Sequence, residues 1–185
     1  MKNFYKNKKI LVTGATGFKG AWLCSWLNIL GAKVYGIGFN PNQNRNLFYK
    51  LNLQKKINLK IMDVRDLKSI KKYISKIKPS IIFHLAAQPL IFESYKKPYL
   101  TFDVNFRGSL NIVDTSFNLK SVKSLVVVTS DKCYESNNSK VGFKESDILG
   151  GIDPYSASKA ATEIMTRAYR KSFLTKKRKI GISTG

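Results

Sequence analysis

Acidic residues are scarce in this 185-residue chain: eleven Asp and Glu stand against 33 Lys and Arg, for a formal charge of +22. Histidine is scarcer still, with His84 alone, and cysteine is limited to Cys24 and Cys133. No segment approaches the ~20 apolar residues that a membrane span needs, and no secretory h-region follows the basic N-terminus. The two cysteines lie far apart with no C-x-x-C pair, so neither a disulfide framework nor a zinc site is expected. One histidine without Cys or carboxylate partners at ligand spacing reads as a hydrogen-bonded interior residue rather than a metal ligand or general base. The expectation is a soluble protein of a reducing cytoplasm, with no metal and no membrane partner.

A charge of this size invites a nucleic-acid reading, because clustered Lys and Arg release counterions from a phosphate backbone. The lysines are instead spread along the whole chain. Their densest run, Arg170, Lys171 and then Lys176 to Lys179, sits between a helix and a strand and reads as a solvated loop, so no nucleic-acid partner is expected. What remains is ordinary globular composition, 43% hydrophobic and 24% charged, at a length that suits one α/β domain over residues 1–185.

Apolar runs bounded by turn residues alternate with stretches of helical periodicity, the pattern of βαβ units and a parallel sheet. Strands are predicted at Lys9 to Thr13, Lys33 to Phe39, Leu59 to Asp63, Ser80 to His84, Ser124 to Thr129 and Lys179 to Ser183. Helices are predicted from Gly17 to Leu30, Asp66 to Ile77, Pro98 to Leu119 and Tyr155 to Phe173, with a short one at Asn46 to Leu53. Gly31 suits the first helix's C-terminus and Asp66 the second's N-cap, while Pro79 stops that helix before the fourth strand. Right-handed crossovers then give a doubly wound Rossmann-type sheet ordered 3-2-1-4-5-6, with ligands at the carboxyl ends of the strands. The chain ends directly after the sixth strand, which reads as a domain truncated there.

Gly14, Gly17 and Gly20 follow the first strand and open a helix. Glycine at such a turn lets the backbone approach a pyrophosphate, and the free N–H groups of the first helical turn favour its charge; an ordinary βα turn is the alternative. Trp22 and Trp26, four apart, are expected to share one helix face in the core. Asp63 and the Leu85-Ala86-Ala87-Gln88 segment fall at carboxyl strand ends facing the cofactor crevice, although a strand-terminal Asp is commonly a turn residue. Tyr155 and Lys159, four apart near a helix start, project from one face, and a nearby ammonium favours a phenolate able to take a hydroxyl proton. A Y-x-x-x-K match arises by chance in lysine-rich chains, but Pro154 marks the helix start and the fifth strand delivers Thr129-Ser130-Asp131 to the same crevice.

Together TGATGFKG, DVRD at Asp63 to Asp66, FHLAAQP at Phe83 to Pro89, Asn105, TSDKCY at Thr129 to Tyr134 and PYSASK at Pro154 to Lys159 resemble the extended short-chain dehydrogenase/reductases, and within them the sugar-nucleotide 4,6-dehydratases. TGFKGAWL with AAQPL, TSDKCY and GGIDPYSASK is most similar to their CDP-glucose group. That resemblance implies NAD as cofactor and CDP-glucose as substrate, in deoxysugar and polysaccharide biosynthesis. Ser130 would bind the sugar 4-hydroxyl, Tyr155 would remove its proton, and Lys159 would support Tyr155 and the nicotinamide ribose. Asp131 would protonate the departing C6 hydroxyl. Lys132 stands where related dTDP-glucose enzymes carry the Glu that removes the C5 proton, so either Lys132 takes that proton or its ammonium stabilises the enolate. The cofactor set implied is Gly14, Thr16, Gly17, Phe18, Gly20, Asn40, Asp63, Val64, Leu85, Ala86, Ala87, Gln88, Asn105, Thr129, Tyr155 and Lys159. Asn40 replaces the usual acid at the end of the second strand; its amide can hydrogen-bond a ribose hydroxyl but does not repel a 2′-phosphate. The resemblance further implies an absent substrate domain, apolar surface exposed where it packs, little turnover by this chain alone and a homo-oligomeric full-length form. A nucleotide-sugar epimerase or reductase, and a catalytically silent dinucleotide-binding module, are the competing readings.

Overall fold

A computed structural model describes residues 2–39, 46–135, 142–174 and 179–185. Six parallel strands, β1 Lys9–Thr13, β2 Lys33–Gly38, β3 Asn58–Ile61, β4 Ile81–His84, β5 Ser124–Val127 and β6 Gly181–Thr184, form one sheet. Its order is β3-β2-β1-β4-β5-β6, the doubly wound arrangement expected. The reversal between β1 and β4 opens a crevice at their carboxyl ends.

Alternation along the strands divides the core between two faces. Leu11, Ile37, Ile82, Leu125, Val127 and Ile182 pack with Ile70 and Ile74 of α4 (Leu67–Ile77), Ile112 and Val113 of α7 (Gly108–Asn118), and Met165 of α8 (Pro154–Phe173). On the other face Ile10, Val12, Val34 and Ile81 meet Ala21, Cys24 and Leu27 of α2 (Phe18–Ile29), together with Phe48 of α3 (Leu47–Lys50) and Leu53. A short α1, Lys2–Tyr5, precedes β1, and α5 (Ile91–Lys96) and α6 (Pro98–Phe102) follow β4. No described helix is long and apolar enough to cross a membrane.

Helix ends follow the local chemistry. Asp66 caps α4 by accepting from Ser69 N at 3.0 Å, and Lys78 leaves that helix in the left-handed region just before Pro79. Gly31, with φ +78°, follows the last residues of α2. At α8, Asp153 accepts from Ser156 N at 3.0 Å, and Pro154 occupies the first turn, where no N–H is required.

Several expectations need correcting. Trp22 and Trp26 are 53% and 50% exposed, not core. The buried stripe of α2 is Gly20, Ala21, Cys24 and Leu27, because the helix starts so close to the β1 turn that a Cβ at Gly20 would strike Gly14, and with that face inward the indoles are turned outward. The long helix expected from Pro98 to Leu119 is broken by a π turn at Asp103–Arg107, where the Asn105 carbonyl accepts from the Ser109 and Thr162 hydroxyls at 2.6 and 3.0 Å. Arg170 and Lys171 belong to the last turn of α8 rather than to a loop; 176–178 of that run lie outside the described residues. Apolar side chains also stand exposed on α5 and α6, with Phe92 at 72% and Tyr99 at 83%.

Candidate active site

The turn after β1 sets the floor of the site. Gly14 has φ +71°, and a Cβ there would come within 2.8 Å of Ala86 N and Leu85 C, so backbone from β1 and β4 meets with no room for a side chain. Gly17 N donates to Gly14 O at 2.9 Å and closes the turn. α2 then begins with no side chain among the described residues capping its first N–H groups and no acidic residue in its first turn. Gly14, Thr16, Gly17, Phe18, Lys19 and Gly20 all line one cavity of about 760 Å³, a volume within the usual range for a cofactor pocket. Open helical N–H groups facing such a space suit an anionic group such as a pyrophosphate.

The ends of β2 and β3 form a second wall. Gly38, Phe39, Asp63, Val64 and Arg65 line it, and Met62 N donates to Gly38 O at 2.9 Å, holding the strand ends together. Asp63 lies in the wall as expected, but its carboxylate is engaged: it accepts from Arg65 N at 2.9 Å, Nε at 3.0 Å and Nη2 at 2.6 Å. These bonds hold its carboxyl below the usual range, against a smaller opposing effect of burial. Asn40, expected at the end of β2, lies outside the described residues.

Leu85, Ala86, Ala87 and Gln88 line the cavity beyond β4. Asn105, fully buried, stands behind this wall and not in it. Its Oδ1 accepts from Gln88 N at 2.7 Å, and its Nδ2 donates to Gln88 O at 3.1 Å and to Ser158 Oγ at 2.9 Å, tying the loop to α8. His84 is the interior residue anticipated: Nδ1 meets Thr13 Oγ1 at 2.6 Å and Nε2 meets Ser109 Oγ at 2.8 Å. Burial, then the nearby Lys159, pushes its pKa down to about 3.

Thr129, Tyr155 and Lys159 close the remaining side of the cavity. Lys159 is only 5% exposed, and its Nζ donates to Val128 O at 3.2 Å. Burial first, then repulsion from Lys19, lowers its pKa from 10.5 to about 8. Below pH 8 the lysine is charged folded and unfolded, and its burial costs in full. Between about 8 and 10.5 only the unfolded chain holds the proton, so stability rises with pH. Lys159→Met should therefore stabilise the chain at pH 7 by about 1–3 kcal/mol, with the advantage shrinking towards pH 10. Urea unfolding at the two pH values checks this; a variant weaker than the parent at pH 7 contradicts it.

Ser130, Asp131 and Lys132 are not brought into the cavity wall. They form the next turn, a 3-10 segment whose N-cap is Ser130. The Ser130 hydroxyl donates to Asp131 Oδ1 and accepts from Lys132 N, both at 3.2 Å. Asp131 and Lys132 are 75% and 59% exposed, with their charges 4.0 Å apart. Conversely, sequence reasoning passed over Lys19, Phe39 and Arg65 as lining residues, and Glu163, which accepts from the Thr129 hydroxyl. Arg65 was visible within DVRD and Lys19 within TGFKG, but neither carried a spacing that singled it out.

A family model described as GDP-mannose 4,6 dehydratase matches residues 11–180. The CDP-glucose 4,6-dehydratase of Salmonella typhimurium is 40% identical over 172 residues, covering 93% of this chain and 48% of that protein. Among solved structures, an epimerase from Methanothermobacter thermautotrophicus superposes with a TM-score of 0.82 at 25% identity, over 97% of this chain and 51% of its own. The UDP-glucose 4-epimerase of Brucella ovis in complex with NAD gives 0.79 at 19% identity, over 96% and 50%. The chain thus spans about half the length of the relatives it matches.

Proposed function

Because the chain belongs to the GDP-mannose 4,6 dehydratase family, we propose that its cavity binds NAD and serves a nucleotide-sugar 4,6-dehydration, with CDP-glucose as the substrate. The observation that carries this reading is that Tyr155 and Lys159 open onto the same cavity as the uncapped N-terminus of α2. A dinucleotide fits these residues: its pyrophosphate on the α2 N–H groups, its adenosine towards Asp63 and Val64, its nicotinamide end towards Thr129, Tyr155 and Lys159. When bound, NAD would accept hydride from the sugar C4 and return it at C6.

The chain's own groups handle the protons. Tyr155 takes the proton of the 4-hydroxyl as its C–H bond breaks, and the Lys159 ammonium favours the phenolate that receives it. Lys159 is itself steadied by Val128 O. The resulting 4-ketone makes the C5 proton labile, and its loss together with the C6 hydroxyl removes one water. Lys132 takes the C5 proton, Asp131 protonates the leaving hydroxyl so that water departs, Ser130 holds the oxygen at C4, and Lys132 gives its proton back to C5 when hydride reaches C6. These three follow Thr129 but lie outside the cavity wall, and Asp131 and Lys132 are exposed, so they would meet the sugar from the solvent side. The 185 residues alone hold the dinucleotide and turn over little nucleotide-sugar, in keeping with their spanning half the length of their relatives.

Isotope tracing tests the reading. In a chimera with this chain replacing the matched half of the Salmonella enzyme, CDP-glucose deuterated at C4 should yield a 4-keto-6-deoxy product with the deuterium at C6. Recovery of the C4 epimer, or no product from a chimera that has bound NAD, would overturn it.

A further inference from the structure

Four charged side chains form a continuous cluster at the adenosine end of the cavity. Arg65 binds Asp63 through Nε and Nη2, and its Nη1 reaches Asp103 Oδ2 at 3.2 Å. Asp103 in turn receives Arg107 through Nε at 2.5 Å and Nη2 at 2.9 Å. Two carboxylates thus face two guanidiniums, and the cluster is neutral. Asp103, whose side chain is 9% exposed, is its inner member.

The cluster joins two parts of the fold that are distant in sequence. Asp63 and Arg65 follow β3, whereas Asp103 and Arg107 open and close the π turn. That turn also carries Asn105, which grips Gln88 on the opposite wall and Ser158 between Tyr155 and Lys159. π turns inside helices are common where a side chain must be re-aimed for function.

Arg65 lines the same cavity as Gly38 and Phe39 at the end of β2, the strand end where doubly wound folds place the ribose 2′ position. An arginine with a free donor edge there would suit a 2′-phosphate. In this one each guanidinium nitrogen already meets a carboxylate, Nε and Nη2 on Asp63 and Nη1 on Asp103.

We propose that Asp103 is a specificity-determining residue: by engaging Arg65 Nη1 and balancing the charge of the cluster, it keeps the guanidinium from receiving a 2′-phosphate, so the cavity selects NAD over NADP. Asp103 acts through Arg65 and is a positioning residue. Asp103→Asn keeps the shape but removes one negative charge. Arg65 stays on Asp63, but its Nη1 no longer meets a carboxylate, and the cluster becomes positive where the 2′-phosphate would lie. The inference rests on reading the cavity as a dinucleotide site.

The test is to titrate the 185-residue chain and its variants with NAD+ and with NADP+. The parent should bind NAD+ more tightly. In Asp103→Asn the two affinities should move in opposite directions, NAD+ weaker and NADP+ tighter, and their ratio should shift by about tenfold. Asp103→Glu should restore the parental ratio, which a merely structural defect would not allow. A parallel loss for both dinucleotides, an unchanged ratio, or a parent that prefers NADP+ overturns the inference while leaving the dinucleotide reading intact. A parent that binds neither overturns both.

Discussion

Tyr155→Phe should lower dehydration by the chimera about 10³-fold while leaving NAD bound, a loss in the range that removal of a positioned general base produces. The ring still fills its place on the first turn of α8, so the packing of Ser156, Ser158 and Lys159 beneath it is preserved. What disappears is the phenolic hydroxyl proposed to take a proton from the sugar. The loss should fall on kcat, with the NAD affinity within about twofold of the parent. Single-turnover deuterium transfer measured beside NAD binding separates the two effects. Unchanged turnover would mean that the proton leaves by another route.

Gly20→Ala should weaken NAD+ binding by roughly 100-fold, the order expected when an anchoring group is displaced by about 1 Å. A Cβ at Gly20 would overlap Gly14 O and press on the Gly14 carbonyl carbon at 2.8 Å, both of them backbone atoms. Neither can yield without moving the turn, and α2 must withdraw from it. Its first N–H groups would then no longer point where they do now, and the overpacking should cost about 1–3 kcal/mol of stability. Gly142→Ala is the matched control, since a Cβ there meets nothing within 4 Å among the described residues. It should change neither affinity nor stability beyond about 0.5 kcal/mol. Calorimetric titration and thermal unfolding of the two variants check both effects, and equal behaviour of the pair would rule out the packing argument.

The strands, their order and the glycine turn were legible because each rests on short-range signals: apolar runs, turn residues and a strand followed at once by a helix. The exposure of Trp22 and Trp26 was not. Large apolar residues lie all round α2, and only the closeness of Gly20 to Gly14, a contact across the turn, decides which face is buried. The π turn escaped for a similar reason. Asp103 to Arg107 continue an ordinary helical pattern, and the irregularity depends on Asn105 finding Gln88 and Ser158. Arg65 could be seen in its motif, but its role depends on Asp103, 38 residues away. Ser130, Asp131 and Lys132 were expected in the crevice with Thr129. The chain bends into a 3-10 turn there, with Ser130 as its cap, and carries them out to the rim. Tyr155 and Lys159 line the cavity together because helical spacing puts both on one face of α8.

Titration of the 185-residue chain with NAD+ tests the central claim most directly. The account predicts saturable binding of one NAD+ per chain, with a Kd in the micromolar to millimolar range, weakened roughly 100-fold in Gly20→Ala and retained in Tyr155→Phe. Absence of binding at millimolar NAD+, or binding that Gly20→Ala leaves untouched, would contradict it.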